Sequence, residues 1–274
     1  MGLFGRNFNK PGPGVSKEEP RKKGFARFFE LFIRDMGDLV KLNLIFCICA
    51  LPTVAVFIAG LTGFYPAISF ALALLLAFPV GGAMVAYVYY ITKMMRDDPS
   101  YVWYEFKRKF KENFLQAAPV GILCAAFLYT QILLWASFLY GEETSDLLWF
   151  IAAILSLVLF GMVVPYIFMH LAYISLGTLR ILKNSVLMAF GYLPRSFMAS
   201  FLGGILWIVF ILFLPDSMLV FPLMIIIGIS LSVLMSLSWV WKPFDEYFKV
   251  EETLIEQSKK NSENIESIKS IETD

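Results

Sequence analysis

The chain has 274 residues, 58% of them AVILMFWYC and only 16% charged, where an ordinary soluble domain carries about 25% charged residues; mean hydropathy is +0.69. The net charge of +1 conceals a strong segregation of charge along the chain. Cys47, Cys49 and Cys124 are odd in number, lie in apolar runs and form no CxxC, which argues against a disulfide framework or a zinc site.

Residues 1–23 are polar and rich in Gly and Pro, with no apolar core following directly and no small-residue cleavage site. They read as a flexible segment and not as a signal peptide. Arg6 stands where a myristoylation signal wants Ser or Thr. In 24–38, Phe25, Phe28, Phe29, Phe32, Ile33, Met36 and Leu39 recur at spacings of three and four, with Arg27, Glu30, Arg34 and Asp38 opposite. That period is helical. Behind Arg21, Lys22 and Lys23, the segment is expected to lie in the inner headgroup layer; packing against the cytoplasmic base of a bundle is the alternative.

Six windows are long and apolar enough to cross a bilayer, which takes about 20 residues: 39–60, 65–92, 116–140, 147–174, 197–214 and 218–241. The first two are separated only by Leu61-Thr62-Gly63-Phe64. As one helix, residues 39–92 would reach about 80 Å at 1.5 Å per residue, far beyond a hydrocarbon core of about 30 Å. Two passes are expected there, with a re-entrant hairpin or a break at Pro52 as the alternative. Apart from Lys41 at the inner edge of the first, the six windows contain no Asp, Glu, Lys or Arg.

The links between windows carry the charge. All 23 Lys and Arg fall at 6–41, 93–111, 180–195 and 242–269, and the loops 61–64, 141–146 and 215–217 hold only Glu142, Glu143, Asp146 and Asp216. Cationic loops mark the cytoplasmic side, so the pattern predicts an all-α bundle with both termini inside. In the second inner loop, Asp98-Pro99 reads as a helix start. Trp103, Phe106, Phe110 and Phe114 then share a face, ringed by Lys107, Arg108, Lys109 and Lys111. Basic residues among aromatics beside two spans fit snorkelling to anionic lipid better than nucleic acid. The third inner loop runs from Thr178 to Phe190, with Gly191 as a helix stop and Pro194 beyond. The membrane domain is thus 24–248, and 249–274 is a polar cytoplasmic tail with seven acids and four lysines.

The stretch 110–123 is echoed 83 positions later: Phe114 matches Phe197, and Gly121-Ile122-Leu123 match Gly204-Ile205-Leu206. Each unit reads as an inbound span, an amphipathic elbow and an outbound span, a parallel repeat. Ala117, Gly121 and Ala125, like Ser200 and Gly204, are small residues four apart. Such spacing lets helix backbones approach in lipid, which makes spans three and five candidates for tight contact at the bundle centre.

Little in the spans is chemically reactive. Asn43, Thr53, Gln131 and His170, with Thr130, are the polar candidates. Each reads first as an interhelical hydrogen-bonding group and second as a contact for a neutral solute. His170 is the lone histidine and has no second ligand or nucleophile partner in the sequence. No HExxH, GxSxG, Walker A or GxGxxG occurs, so an enzyme, a metal site or a cofactor is not expected. Asp38 and Lys41 read as anchors at the first span's inner end.

The run Leu42-Asn43-Leu44-Ile45-Phe46-Cys47-Ile48-Cys49-Ala50-Leu51-Pro52-Thr53-Val54, behind its amphipathic lead-in, resembles the N-terminal signature of the YesL-like bacterial integral membrane proteins. Phe110-Lys111-Glu112-Asn113-Phe114-Leu115-Gln116-Ala117 resembles that family's second hallmark. The resemblance covers about residues 20–245. It implies a protein of the cytoplasmic membrane, mostly of Gram-positive bacteria, encoded near genes of carbohydrate uptake and degradation. A non-enzymatic accessory or regulatory partner of a sugar permease or membrane sensor is the expectation; a small permease for a neutral solute is the alternative. The resemblance brings no catalytic residues.

Overall fold

A computed structural model describes residues 24–140 except 64 and 99, residues 147–213, and residues 220–260 except 258. The first 23 residues, with Arg21, Lys22 and Lys23, lie outside the described residues, as do the loops 141–146 and 214–219. The described elements are helical throughout. They are α1 (Phe25–Arg34), α2 (Met36–Leu61), α3 (Pro66–Leu76), α4 (Phe78–Met95), α5 (Val102–Tyr140), α6 (Leu147–Tyr173), α7 (Thr178–Gly191), α8 (Leu193–Phe213), α9 (Val220–Leu223), a π-helical turn (Met224–Gly228) and α10 (Ile229–Phe248).

Helices α2, α5 and α6 and the stretch Ile225–Phe248 are each long and apolar enough to cross a membrane. Two bent pairs raise the number to as many as six: α3 with α4, bent by 41°, and α7 with α8, bent by 99°. The chain is therefore a multi-pass helical bundle. Its surface follows from lipid as solvent: Ile48, Leu51, Ile68 and Leu75 are exposed along α2 and α3, where water would penalise them and hydrocarbon does not.

Pro52 lies inside α2 and does not break it. The chain turns at Thr62–Tyr65 instead, where Gly63 takes φ +89°, a value that costs a residue without Cβ little. Helices α2 and α3 then pack as a hairpin. The expected second span is bent at Ala77, just ahead of Pro79, whose ring clashes with the preceding turn and lacks an N–H for the ladder. Beyond that bend, α4 is the buried axis of the bundle. Tyr87, Tyr90 and Ile91 are almost wholly enclosed, and α2, α5, α6 and α10 all pack on it.

The expected elbow and span at 99–140 form one continuous helix, α5, of 39 residues. At 1.5 Å per residue that is about 58 Å, roughly twice a hydrocarbon core, so its first turns stand outside the core. Its aromatic face turns in part to α4: Phe106 is buried while Trp103 is exposed, and the Phe114 ring meets Phe78 of α4 edge-on at 4.9 Å. At the other elbow the helix does break: α7 and α8 are separate, joined at Tyr192. The two halves of the sequence echo thus differ in shape.

Lys249 adopts left-handed backbone, φ +52°, and ends α10. Helix resumes over 250–257, and Val250 is buried against the bundle. The first residues assigned to the polar tail therefore pack back on the core.

Candidate functional site

The described parts of the basic segments come together at one end of the bundle, where α1 packs on α2 and α10 and α7 packs on α5 and α6. A helix leaves its last carbonyls without partners and carries partial negative charge there. The end of α4 satisfies this need with arginines from α1. Arg27 donates to the Met95 carbonyl at 3.3 Å and Arg34 to the Met94 carbonyl at 3.4 Å. Both also pair with Asp97 at 2.6 Å. These contacts hold the Asp97 carboxyl below the usual aspartate range against the opposing effect of burial. Asp97 itself sits at φ +60°.

Helix α1 packs on α2 and α10, the alternative that the sequence left open. Phe28 and Leu31 are buried in the bundle's base, while Phe25, Phe29, Ile33 and Met36 remain exposed. Arg27 and Arg34, placed by the sequence on the solvent face, are instead its docking residues. Beside it, Asp38 accepts from Tyr90 at 2.9 Å and pairs with Lys41 at 2.9 Å.

A second charge cluster was not evident in the sequence. Lys93 of α4 and Glu105 of α5 form a 2.9 Å ion pair with side chains only 11% and 8% exposed. Arg108 reaches the other Glu105 oxygen at 2.5 Å and the Tyr89 hydroxyl at 3.2 Å. Lys109 lies 4.7 Å from the centre of the Tyr89 ring and pairs with Glu112 at 2.9 Å. Arg96 sits 5.7 Å from the ring of Tyr173 and 6.0 Å from that of Trp241. Of the four cations of α5 expected at the lipid interface, Arg108 and Lys109 therefore have partners within the protein, and Lys107 and Lys111 are exposed. Lys93 borders the second apolar window and Glu105 lies in the loop ahead of the third, so a search for charge within spans passes over both.

The polar residues of the spans are fixed to other helices. Asn43 of α2 is fully buried. Its amide donates to the Ile225 carbonyl at 2.5 Å, and its side-chain oxygen accepts the Ser230 backbone N–H at 3.1 Å. Those two backbone groups are five residues apart, the spacing that a π-turn brings together. The Tyr87 hydroxyl lies 3.0 Å from the Asn43 oxygen and 2.6 Å from Ser230 Oγ, which donates to the Leu39 carbonyl at 2.7 Å. Thr53 Oγ1 is 2.5 Å from the Ala73 carbonyl oxygen and 2.6 Å from the Tyr129 hydroxyl. Thr130 closes on its own helix, donating to Ala126.

Gln131 donates to Ser156 Oγ at 2.8 Å across the α5–α6 contact. His170 Nδ1 is 2.7 Å from the Tyr166 carbonyl, which can only accept, so that nitrogen carries the proton; Ser185 Oγ is 3.0 Å from the same nitrogen. The ring is enclosed by the edges of Phe244 and Phe248, each 5.1 Å away. Gln131 Oε1 and His170 Nε2 are buried with no hydrogen-bond partner among the described residues. Asn43, Thr53, Gln131 and His170 thus serve four separate contacts. No hydrogen bond given for one of them reaches another.

Close helix packing gathers at α4 and α5. A Cβ on Gly81 would land on the Ala117 carbonyl, and one on Gly121 would land on the Gly81 backbone. The expected counterpart Gly204 differs: a Cβ there meets no described atom within 4 Å. The reason is rotation of α8, which turns neighbouring residues inward. Gly203 faces Ser232 and Ser236 of α10, and Ser200 packs on Gly161 of α6 and donates to the Val158 carbonyl at 2.9 Å. Ser200 is the echo of Ala117, so in both units that position meets a glycine of the preceding long helix. Ala125 is buried on α5.

Among the described residues, no group of three His, Cys, Asp or Glu side chains is placed to hold a metal ion. The family described as "Protein of unknown function, DUF624" matches residues 39–135, a stretch that runs from α2 through most of α5 and includes the Asn43 and Gly121 contacts. No curated protein and no solved structure matches the chain.

Proposed function

We propose that this chain is a non-enzymatic accessory or regulatory protein of the bacterial cytoplasmic membrane, with both termini inside, acting beside a carbohydrate permease or membrane sensor. The observation that carries this reading is the disposition of polar groups. Asn43, Thr53, Gln131 and His170 each bond to another helix or turn of the bundle, with no shared site. A permease for a neutral solute needs such groups to converge on one path near the midplane.

The link to carbohydrate uptake rests on the resemblance to YesL-like proteins; the family matched at residues 39–135 is one of unknown function. The cationic base supports the inward orientation. In this role the protein recognises its partner by helix packing in lipid and by its inner-face elbows.

Mild-detergent co-purification from native membranes grown on inducing sugars tests the proposal. Recovery of a transport component is the expected result. Recovery of none, together with sugar uptake by proteoliposomes that contain this chain alone, would replace the accessory role with the permease.

A further inference from the structure

The cations of the base sort into two groups. Arg27, Arg34, Lys93, Arg108 and Lys109 pair with carboxylates inside the protein. Lys107 and Lys111 of α5, and Arg180 and Lys183 of α7, are exposed. Helix α7 contains no acidic residue. It packs on α5, and Gln116 of α5 donates to the Leu176 carbonyl just ahead of α7, so the two cationic stretches are neighbours.

Helix α7 has three faces. Ile181, Ser185, Met188 and Ala189 are buried against the bundle. Val186, Leu179 and Phe190 are exposed along one flank, at 100° per residue, with Leu179 82% exposed. Lys183, Leu187 and Arg180 occupy the other flank. On α5, Tyr104, Lys107, Lys111 and Leu115 likewise share an exposed face. The axis of α7 is turned 99° from that of α8. If α8 crosses the bilayer, α7 runs along its surface, where a helix with exposed leucines and flanking cations is at its lowest free energy in the headgroup layer.

We infer that α7 is an in-plane helix that seats the base of the bundle in an anionic phospholipid headgroup layer, with Arg180 and Lys183 of α7 and Lys107 and Lys111 of α5 as its cationic contacts. The apolar flank enters the acyl boundary, and the lysine stems snorkel toward phosphate. The inference depends on the bundle spanning a membrane and is independent of any permease partner.

Two measurements on the full chain in bilayers test it. A nitroxide on Val186→Cys, on the apolar flank, with Cys47, Cys49 and Cys124 changed to alanine, is expected to collide with oxygen and to be shielded from an aqueous nickel chelate. Free access to the chelate would place α7 in water and overturn the inference. Spin-labelled phosphatidylglycerol is expected to associate in preference to spin-labelled phosphatidylcholine. That preference should fall about fivefold for each contacting charge removed through K107Q, K111Q, R180Q and K183Q combined, while K242Q, on a lysine paired with Glu246, leaves it unchanged. Absence of the preference, or its survival in the combined variant, overturns the lipid site and points to an anionic protein partner instead.

Discussion

Asn43 accepts the backbone N–H of Ser230 at 3.1 Å across 187 positions of sequence. With its amide on the Ile225 carbonyl, this one side chain ties α2 to the π-turn that leads into α10. The register of the last helix is thereby set against the first span, and Tyr87 of the central helix joins the same cluster.

Asn43→Leu is expected to lower unfolding stability in detergent by about 1–3 kcal/mol, because it removes the side-chain partner of the Ser230 N–H and of the Ile225 carbonyl together. Thr130→Val, which removes only a bond within α5, should change stability by less than about 0.5 kcal/mol. Thermal unfolding of both variants in one detergent checks the contrast. Equal stability of the two would mean that the network adds nothing.

Gly121→Leu and Gly81→Leu are expected to cost about 3 kcal/mol or to prevent folding, since each new side chain must displace helix backbone. A Cβ at Gly204 meets no described atom within 4 Å, so Gly204→Leu should be tolerated. Retention of a monodisperse, wild-type melting profile by Gly121→Leu would show that α4 and α5 are farther apart than described.

Docking of α1 should depend on pH through Asp97. Arg27 and Arg34 hold its carboxyl below the ordinary value, which for an unfolded aspartate is about 4. A depressed pKa means that the stabilisation is complete above the unfolded value and is lost as pH falls through the folded one. Hydrogen exchange across 25–34 should therefore accelerate as the pH on that side drops below about 4. Asp97→Asn keeps a side chain suited to φ +60° and removes the charge. It should exchange quickly at neutral pH and lose the pH dependence.

Glu105→Gln leaves Lys93 buried without its closest carboxylate and should destabilise by about 3 kcal/mol. Lys93→Met leaves Arg108 beside Glu105 and should cost less. The double variant Lys93→Met/Glu105→Leu should recover much of the loss, since a buried pair is often replaceable by apolar residues. Chemical unfolding of the three variants checks the order.

Helix class, the extent of the spans, and the gathering of cations on one side were legible in the sequence because they are properties of solvation. Each residue meets oil or water largely according to its own chemistry, and a window of about 20 residues averages that preference. The tertiary structure alone decided which side chains meet. Gly121 and Gly204 share a motif, yet one lies on Gly81 and the other meets no described atom within 4 Å. Within the aromatic stripe of α5, Phe114 turned to Phe78 of α4 while Trp103 stayed exposed, and Arg108 and Lys109 turned to Glu105 and Glu112. In lipid the helix surfaces are apolar all round, so hydropathy does not specify rotation about a helix axis; close packing and a few hydrogen bonds between distant positions do.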